Sequence, residues 1–185
     1  GNTGYFGFDT TTGAGLWVYN SEFGGASSAF TGALRSSTPA IAADGTLYAV
    51  ADKATGGMVM ALNADGTLKW KYDTNTSIAD GGVAIAKDGT VYANLGVATE
   101  ANPSGVVALN PDGSVKWTYS VEASVQTTPM IDNRGYIHFI DANATYYILK
   151  ADGTLFSSLS LGESCKSTPV MDAEGNTFVV VTKDG

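Results

Sequence analysis

The chain has 185 residues, of which 44% are hydrophobic, a composition that supports a packed core and argues against intrinsic disorder. Its 18 acidic and 10 basic residues give a net charge of −8, and such a surface would repel the phosphate backbone of nucleic acids. No apolar run approaches the roughly 18 residues that a membrane-spanning helix needs. We therefore expect a single domain over 1–185 that neither binds nucleic acid nor inserts into a membrane.

In chain order, residues 4–19 read as a hairpin of two short alternating runs joined by a Thr-Gly turn, with Trp17 in the second run. The same motif, with an Asp-Gly turn, recurs over 60–70, over 107–117 and, more weakly, over 148–156. Asp-Gly supplies the positive φ angles that tight hairpin turns require. These segments are therefore predicted to be pairs of antiparallel strands.

A second hairpin motif alternates with the first. Its turn glycines are spaced by 44, 46 and 40 residues and lie at Gly45, Gly89, Gly135 and Gly175. A period of roughly 40–50 residues built from strand-like units is typical of β-propellers. One motif of each kind supplies the four strands of a propeller blade.

The predicted fold is therefore all-β: a β-propeller of four-stranded antiparallel blades, with four blade-equivalents per chain. Whole blades are predicted over 36–72, 80–119 and 126–157. A leading half blade (4–19) and a trailing half blade (166–182) remain.

Each half blade would leave an unpaired strand edge, a liability that proteins avoid. We therefore expect the N-terminal strands (5–8 and 16–19) to hydrogen-bond to the C-terminal strands (169–172 and 177–181). Pairing within one chain would give a four-bladed monomer, and pairing between chains an eight-bladed homodimer, which we favour. A third interpretation is that the chain is one segment of a longer propeller in a larger secreted protein.

The chain has one cysteine, Cys165, so no intrachain disulfide can form. A catalytic thiol needs a nearby base, and His138, the only histidine, lies at a non-equivalent position of the neighbouring repeat. We expect Cys165 to be a small, half-buried packing residue.

The motif Ala-Leu-Asn-x-Asp-Gly-x-x-Lys-Trp, at 61–70 and 108–117 with a Pro in the second copy, alternates with Thr-Pro-x-x-x-x-Asp-Gly-x-x-Tyr at 38–48. This pattern resembles the PQQ-like repeat of quinoprotein-type β-propellers, and the resemblance runs from about residue 5 to residue 181. In that family the repeated tryptophan packs between neighbouring blades. The resemblance implies this role for Trp17, Trp70 and Trp117, with Phe156 as a diverged replacement.

The family includes quinone-dependent alcohol and sugar dehydrogenases and also cofactor-free members, among them an outer-membrane assembly lipoprotein of Gram-negative bacteria. The dehydrogenases hold their quinone with a vicinal Cys-Cys disulfide, a stacking tryptophan and a calcium site. This chain has a single cysteine, and its three tryptophans all fall in the repeat motif. The resemblance therefore implies a cofactor-free member without catalytic residues.

Two loops have oxygen-bearing side chains at alternate positions, as calcium loops do: 73–77 and 141–145. Ile78 and Tyr146 stand where such loops need a glycine, so we interpret both as ordinary loop caps. No His/Cys cluster with zinc-ligand spacing is present in the sequence. We predict no metal site.

The short Asp-Gly turns lie on one face of a propeller and the longer loops on the other, where binding residues are expected. Four residues that precede the first strands should surround the mouth of the central channel: Ser36 (with Arg35 beside it), Asp80, Gln126 and Lys166. They could bind a small polar ligand or simply solvate the channel. The loop aromatics Phe23, Phe30 and Tyr146 could likewise stack on a sugar or peptide, or anchor their loops.

The function predicted from the sequence is a non-catalytic binding or scaffold module, located outside the cytoplasm, whose partner is a protein or a carbohydrate. The alternative is an enzyme of the quinoprotein dehydrogenase type or a propeller that acts on a polysaccharide.

Overall fold

The computed structural model describes residues 5–19, 38–52, 56–78, 81–97, 102, 104–162, 164–165 and 167–182. Within these ranges the chain forms β-strands, and no helix there is long and apolar enough to cross a membrane. The strands are short because every four to seven residues a turn reverses the chain.

The strands in chain order are β1 (Tyr5–Phe8), β2 (Gly15–Tyr19), β3 (Ala40–Ile41), β4 (Leu47–Asp52), β5 (Gly57–Leu62), β6 (Leu68–Thr74), β7 (Val83–Ile85), β8 (Val91–Asn94), β9 (Ser104–Leu109), β10 (Val115–Val121), β11 (Met130–Ile131), β12 (Ile137–Ile140), β13 (Thr145–Leu149), β14 (Leu155–Ser160), β15 (Ser164–Cys165), β16 (Val170–Met171), β17 (Thr177–Phe178) and β18 (Val181–Thr182).

Three four-stranded antiparallel sheets, each in sequential order, form the centre of the chain. We call β3–β6 the first blade, β7–β10 the second blade and β11–β14 the third blade. The predicted all-β propeller of four-stranded antiparallel blades is confirmed. The first strands lie side by side, since β7 contacts both β3 and β11.

The two ends of the described chain are half blades. In the N-terminal hairpin, β1 pairs with β2. In the C-terminal half blade, β16 pairs with β17 and β15 pairs with β18. The pairing of Cys165 with Val181 repeats the isolated bridge between Val125 and Asp141 in the third blade, so β15 extends the first strand of its half blade.

The expected pairing between the N-terminal and C-terminal strands of one chain is wrong for the described strands. There β1 and β2 pair with each other, and none of β15 to β18 joins them. Three complete blades lie in sequence between the two half blades. Among the described residues, the strands of each half blade pair only with strands of the same half blade.

The hydrophobic core lies between blades rather than in one central cluster. One layer joins the N-terminal hairpin to the first blade, a second joins the first and second blades, and a third joins the second and third blades. Successive side chains of a strand point to opposite faces of the sheet. Thus Val50 packs towards the second blade while Ala49 packs towards the N-terminal hairpin. The third strands of the first and second blades, β5 and β9, are therefore buried along their whole length.

Each tryptophan joins its own sheet to the next one along the chain. The indole Nε1 groups donate hydrogen bonds of 2.8–3.0 Å to turn carbonyl oxygens of the following blade: Trp17 to Ala64, Trp70 to Pro111 and Trp117 to Ala151. The rings lie against the turn glycines of the same hairpins, Gly66, Gly113 and Gly153. A side chain at these glycines would overlap the indole, so the turn glycine and the tryptophan form one unit.

The predicted equivalence of Phe156 with the tryptophans does not match the register. Ser157 lies opposite Ile148, as Trp70 lies opposite Ala61 in the first blade. Phe156 instead occupies the position of Lys69, which donates to Thr46. Its ring packs against Tyr136 with a centroid distance of 5.0 Å and is half exposed. The reason is simple counting: each tryptophan of the Asp-Gly hairpins stands four residues after the turn glycine, and that position after Gly153 is Ser157.

We expect Gly113→Ala to destabilise the protein more than Gly135→Ala. Both glycines have φ above +80°, so alanine is similarly strained at either site, but only at Gly113 would the Cβ meet an indole carbon, at 2.7 Å. The displaced Trp70 ring should add about 1–3 kcal/mol of destabilisation. Urea denaturation of the two variants measures the difference, and equal losses would contradict the role of the glycine in the seam.

Trp70→Ala should lower the free energy of unfolding by about 3 kcal/mol, since a large, partly buried aromatic ring is removed from the seam. Trp70→Phe keeps most of the ring and loses the hydrogen bond to Pro111, so it should cost about 1 kcal/mol. Chemical denaturation followed by tyrosine fluorescence and circular dichroism checks both values. A Trp70→Ala protein of unchanged stability would refute the seam assignment.

Candidate functional site

The predicted channel ring is represented in the structure by one residue, Gln126. The other predicted channel residues and two of the loop aromatics lie outside the described residues: Ser36, Arg35, Asp80, Lys166, Phe23 and Phe30. Gln126 is half-buried and precedes β11, at the inner edge of the third blade. Whether the five predicted ligand-binding residues meet around one ligand therefore remains a prediction.

Gln126 borders a small cavity between the third blade and the C-terminal half blade. The cavity has a volume of about 30 Å³ and is lined by Ser124, Gln126, Thr127, Ile140, Asp141, Ala142 and Cys165. This volume is that of about one water molecule, and its lining offers several polar groups, as buried waters require. The cavity is thus suited to a bound water rather than to a metabolite.

Asp141 holds the loop beside this cavity. Its Oδ1 accepts hydrogen bonds from the backbone amides of Asn143 and Thr145, and its Oδ2 accepts one from the Tyr147 hydroxyl. Ala144 in the same loop has a φ of 57°. Both carboxylate oxygens accept hydrogen bonds from neighbouring groups of the protein, so Asp141 stabilises this loop in the way expected of a loop cap. No group of three or more His, Cys, Asp or Glu side chains among the described residues could hold a metal ion.

The third blade contains a polar network in its interior. The Tyr146 hydroxyl lies 2.5 Å from Nδ1 of His138, and the two rings pack at 5.8 Å. Nε2 of His138 lies 3.4 Å from a carboxylate oxygen of Asp132 and has no hydrogen-bond partner there. Tyr146, predicted as a loop aromatic, therefore directs its polar end into the blade.

Asp132 is the centre of this network. Its side chain is 2% exposed, yet its oxygens accept the backbone amides of Arg134 and Tyr136, and the Arg134 guanidinium lies 2.8 Å away. Arg134 also stacks over Tyr136, 4.6 Å from the ring centre. The buried carboxylate is thus satisfied by backbone donors and by a charged partner at the surface, as buried charges must be.

These surroundings set the charges of the network. Burial alone would raise the pKa of Asp132, but the hydrogen bonds from Tyr136 and Arg134 outweigh burial and lower it. Burial lowers the pKa of His138, and the nearby Asp132 carboxylate does not offset this effect. Burial also raises the pKa of Tyr146. Near neutral pH the network therefore contains an ionised Asp132, a neutral His138 and a neutral Tyr146.

The acidic turn residues are engaged in local hydrogen bonds rather than grouped into a recognition surface. In Asp65, Asp112 and Asp152, the hydroxyl of the residue two positions later is the largest cause of a lowered pKa, followed by the backbone amide of that residue. In Asp44 and Asp88 the backbone amide is the larger cause. Much of the negative charge thus serves the turns themselves.

Two grooves flank the first hairpin of the third blade. One, of about 440 Å³, lies between this hairpin and that of the second blade, with Lys87, Asp88, Asn133 and Arg134 at its rim. The other, of about 380 Å³, lies towards the C-terminal half blade, between Asn133 and Asp172. Both lie on the side of the short turns, whereas the sequence favoured the face of the long loops.

Sequence reasoning missed the network, although a signal was present. His138 occupies the repeat position of Tyr48 and Tyr92, since each lies opposite the next-to-last residue of the first strand of its blade. Asp132 occupies the position of Ala42 and Ala86. His138 stands where the other repeats have an aromatic residue, and Asp132 replaces the alanine of the first two blades, as Asp172 does in the C-terminal half blade. His138 is 1% exposed and no hydroxyl or thiol nucleophile contacts its free nitrogen among the described residues, so the network is structural.

Sequential four-stranded sheets, cores between blades and tryptophans at three successive seams define a PQQ-like repeat β-propeller. The sequence profile of the family described as "Outer membrane protein assembly factor BamB" matches residues 1–140. The chain belongs to this family. No curated protein matches the chain.

Similar solved structures include a protein of unknown function from Bacteroides caccae, which is 14% identical with a TM-score of 0.61 over 94% of this chain and 60% of that one. The computationally designed Ika8 protein is 10% identical with a TM-score of 0.58, over 80% of this chain and 45% of that one. BamB from Moraxella catarrhalis is 20% identical over 94% of this chain and 65% of that one, with a TM-score of 0.44. The chain thus spans less than two thirds of the length of each.

Stability should fall as the pH is lowered from 7 to 5. His138 in the unfolded chain has a pKa near 6.5, whereas burial lowers the pKa in the folded state, so the unfolded state binds more protons in this range. His138→Tyr, which installs the residue found at 48 and 92, should remove this part of the pH dependence. Tyr146→Phe retains the histidine and should keep it.

Denaturation midpoints at pH 7 and pH 5 measure the effect. Because the chain has one histidine, the difference between wild type and His138→Tyr reports that group alone. An identical pH dependence in the two proteins would show that the histidine is not held neutral by burial.

Proposed function

We propose that the chain is a non-catalytic β-propeller module that acts outside the cytoplasm by binding a protein partner. Membership of a family described as an outer membrane protein assembly factor supports both the location and the class of partner. The proposed ligand-binding surface is the long-loop face around the central channel, with Ser36, Arg35, Asp80, Gln126 and Lys166 as its candidate residues.

One observation carries the non-catalytic assignment: all three tryptophans pack at the seams between neighbouring sheets. Each indole N–H donates to a carbonyl oxygen of the next blade while its ring covers a glycine. Stacking on a quinone needs an aromatic face that is free and next to a cation site. With one cysteine and no metal-binding cluster among the described residues, the side chains do not fit a quinone and its calcium ion.

The rigid packing of the sheets also supports a binding role. Inter-blade hydrophobic layers and seam hydrogen bonds hold the sheets rigidly, and loops on a rigid scaffold are suited to binding. Gln126 is held at the inner edge of the third blade beside polar groups of the water-sized cavity. The site is therefore proposed to recognise polar and extended segments of a partner rather than to enclose a metabolite.

Besides the complex with a protein partner, we propose a homodimer that closes an eight-bladed ring. It uses the sheet edges at the two ends of the chain and leaves the long-loop face open.

Incubation of the purified protein with calcium and pyrroloquinoline quinone should produce no dye-linked oxidation of alcohols or sugars above a protein-free control. We expect this result because the three tryptophans are engaged at the seams and no metal-binding cluster is found among the described residues. Activity that requires both additives would overturn the non-catalytic assignment.

Binding should be tested on a peptide array and a glycan array in parallel. We expect peptide spots to bind and Gln126→Ala to weaken them, since Gln126 is one of the residues proposed to surround the channel mouth. Asn133→Ala is the matched control, because this exposed residue lies in a short turn of the same blade. Binding to glycans alone, or a loss caused by Asn133→Ala but not by Gln126→Ala, would contradict the proposed partner and face.

A further inference from the structure

The two half blades expose apolar side chains at positions that are buried in whole blades. Phe8 in β1 is 61% exposed, whereas Leu62 at the same repeat position of the first blade is fully buried. Val180 is 71% exposed, whereas Val50 at its repeat position is 1% exposed. The missing cover is in each case a neighbouring sheet, because Leu62 lies in the core layer shared with the N-terminal hairpin and Val50 lies in the layer shared with the second blade.

The two half blades are complementary. The N-terminal hairpin supplies the third and fourth strands of a blade, and the C-terminal half blade supplies the first and second. In the first blade Tyr48 lies opposite Ala61, and by the same count Phe178 would lie opposite Gly7. Each half therefore carries the strands that the other lacks.

We propose that a second copy of this chain completes the blade. Strand β17 of one copy pairs antiparallel with β1 of the other, with Phe178 opposite Gly7, Val179 opposite Phe6 and Val180 opposite Tyr5. The composite sheet has the order β16–β17 from one copy and β1–β2 from the other. A two-fold axis makes two such blades, because the same pair of surfaces is used twice.

An aromatic contact supports this register. Within the whole blades Tyr48 packs on Trp70 at 5.7 Å, and Tyr92 packs on Trp117 at 5.6 Å. Trp17 belongs to a hairpin without a second strand, so no aromatic residue of its own hairpin occupies that place. Phe178, which is 56% exposed, stands at the repeat position of Tyr48. In the composite blade the second copy's Phe178 would stack against Trp17.

The seams give an independent match. The turn of the N-terminal hairpin is one residue longer than the others, since Gly13 donates to the carbonyl of Asp9, four residues back, whereas Gly66 donates to Asn63, three residues back. The tryptophans of the other seams contact the shorter turns, so we expect a different side chain to face this one. The strand that faces it in the proposed ring is β14, which carries Ser157 in place of the tryptophan. In the proposed ring, the longer turn of the N-terminal hairpin thus faces the strand that lacks the seam tryptophan.

This pairing is between chains because, in the described part of a single chain, β1 and β2 join none of β15 to β18. The occupant is a second copy rather than an unrelated protein because residues of this same sequence fit the exposed positions and the altered seam. The proposal does not rest on the proposed ligand face, which uses the loops and not the sheet edges.

Light scattering should give a mass of about twice 19.0 kDa. Val180→Asp should reduce the mass to that of one chain while the circular dichroism spectrum stays unchanged. Ile41→Asp is the matched control, because Ile41 is also 71% exposed but lies at the first strand of a complete blade, and it should leave the dimer intact. A monomeric wild type, or a Val180→Asp protein that still forms the dimer, would overturn the proposal.

Crosslinking tests the register. In a Cys165→Ser background, a mixture of Phe6→Cys and Val179→Cys chains, refolded together, should form a disulfide-linked dimer under mild oxidation, since the two positions lie directly opposite. A mixture of Phe6→Cys and Thr177→Cys chains places the thiols two residues out of register and should not.

Equal crosslinking of both mixtures would refute the register, and no crosslinking of either would refute the composite blade. A chain that carries both Phe6→Cys and Val179→Cys and closes on itself would show that one chain forms the blade alone. Binding on the peptide array is unaffected by any of these outcomes, so the two proposals fail separately.

Discussion

The structure depends on one constraint: a blade is apolar on both faces and must be covered by a neighbour on each side. In the first and second blades the third strands, β5 and β9, are buried along their whole length, and their alternate side chains enter different core layers. The tryptophan seam fixes the relative position of these sheets, since Trp70 occupies the space that a side chain at Gly113 would fill. Rigidity of the blades, placement of the loops and exposure of the two ends all follow from this arrangement.

The third blade shows how far the seam can diverge when its positions change together. The tyrosine and tryptophan that stack in the other blades are replaced by His138 and Ser157. A histidine in that place needs polar partners, and Tyr146 and Asp132 supply them. Asp132 in turn is stable in the interior because backbone amides and Arg134 hold its charge. The polar network is therefore a substitute for aromatic packing, which explains why a buried histidine and aspartate do not here indicate catalysis.

The distribution of charge and of apolar surface separates two kinds of interaction. The turn aspartates accept hydrogen bonds from their own turns, so they contribute solubility more than recognition. The long-loop face carries the polar residues proposed to meet a ligand, while exposed apolar side chains such as Phe8 and Val180 lie in the two half blades. A binding face and an assembly edge can thus operate independently on one scaffold, because one uses loops and the other uses strands.

Much of the fold could be predicted from sequence because it is written locally and repeatedly. Asp-Gly turns and alternating runs each act within about ten residues, and their repetition at a period near 40–50 residues defined the blades, the half blades and the seam tryptophans. Even the correct position of Ser157 could be found by counting from Gly153, a count that the nearby aromatic Phe156 obscured. What only the tertiary structure decided were contacts across strands: the network around His138, the occupied oxygens of Asp141 and the pairing of β1 with β2 rather than with any of β15 to β18. These depend on which distant segments meet in three dimensions, and spacing along the chain does not encode that meeting.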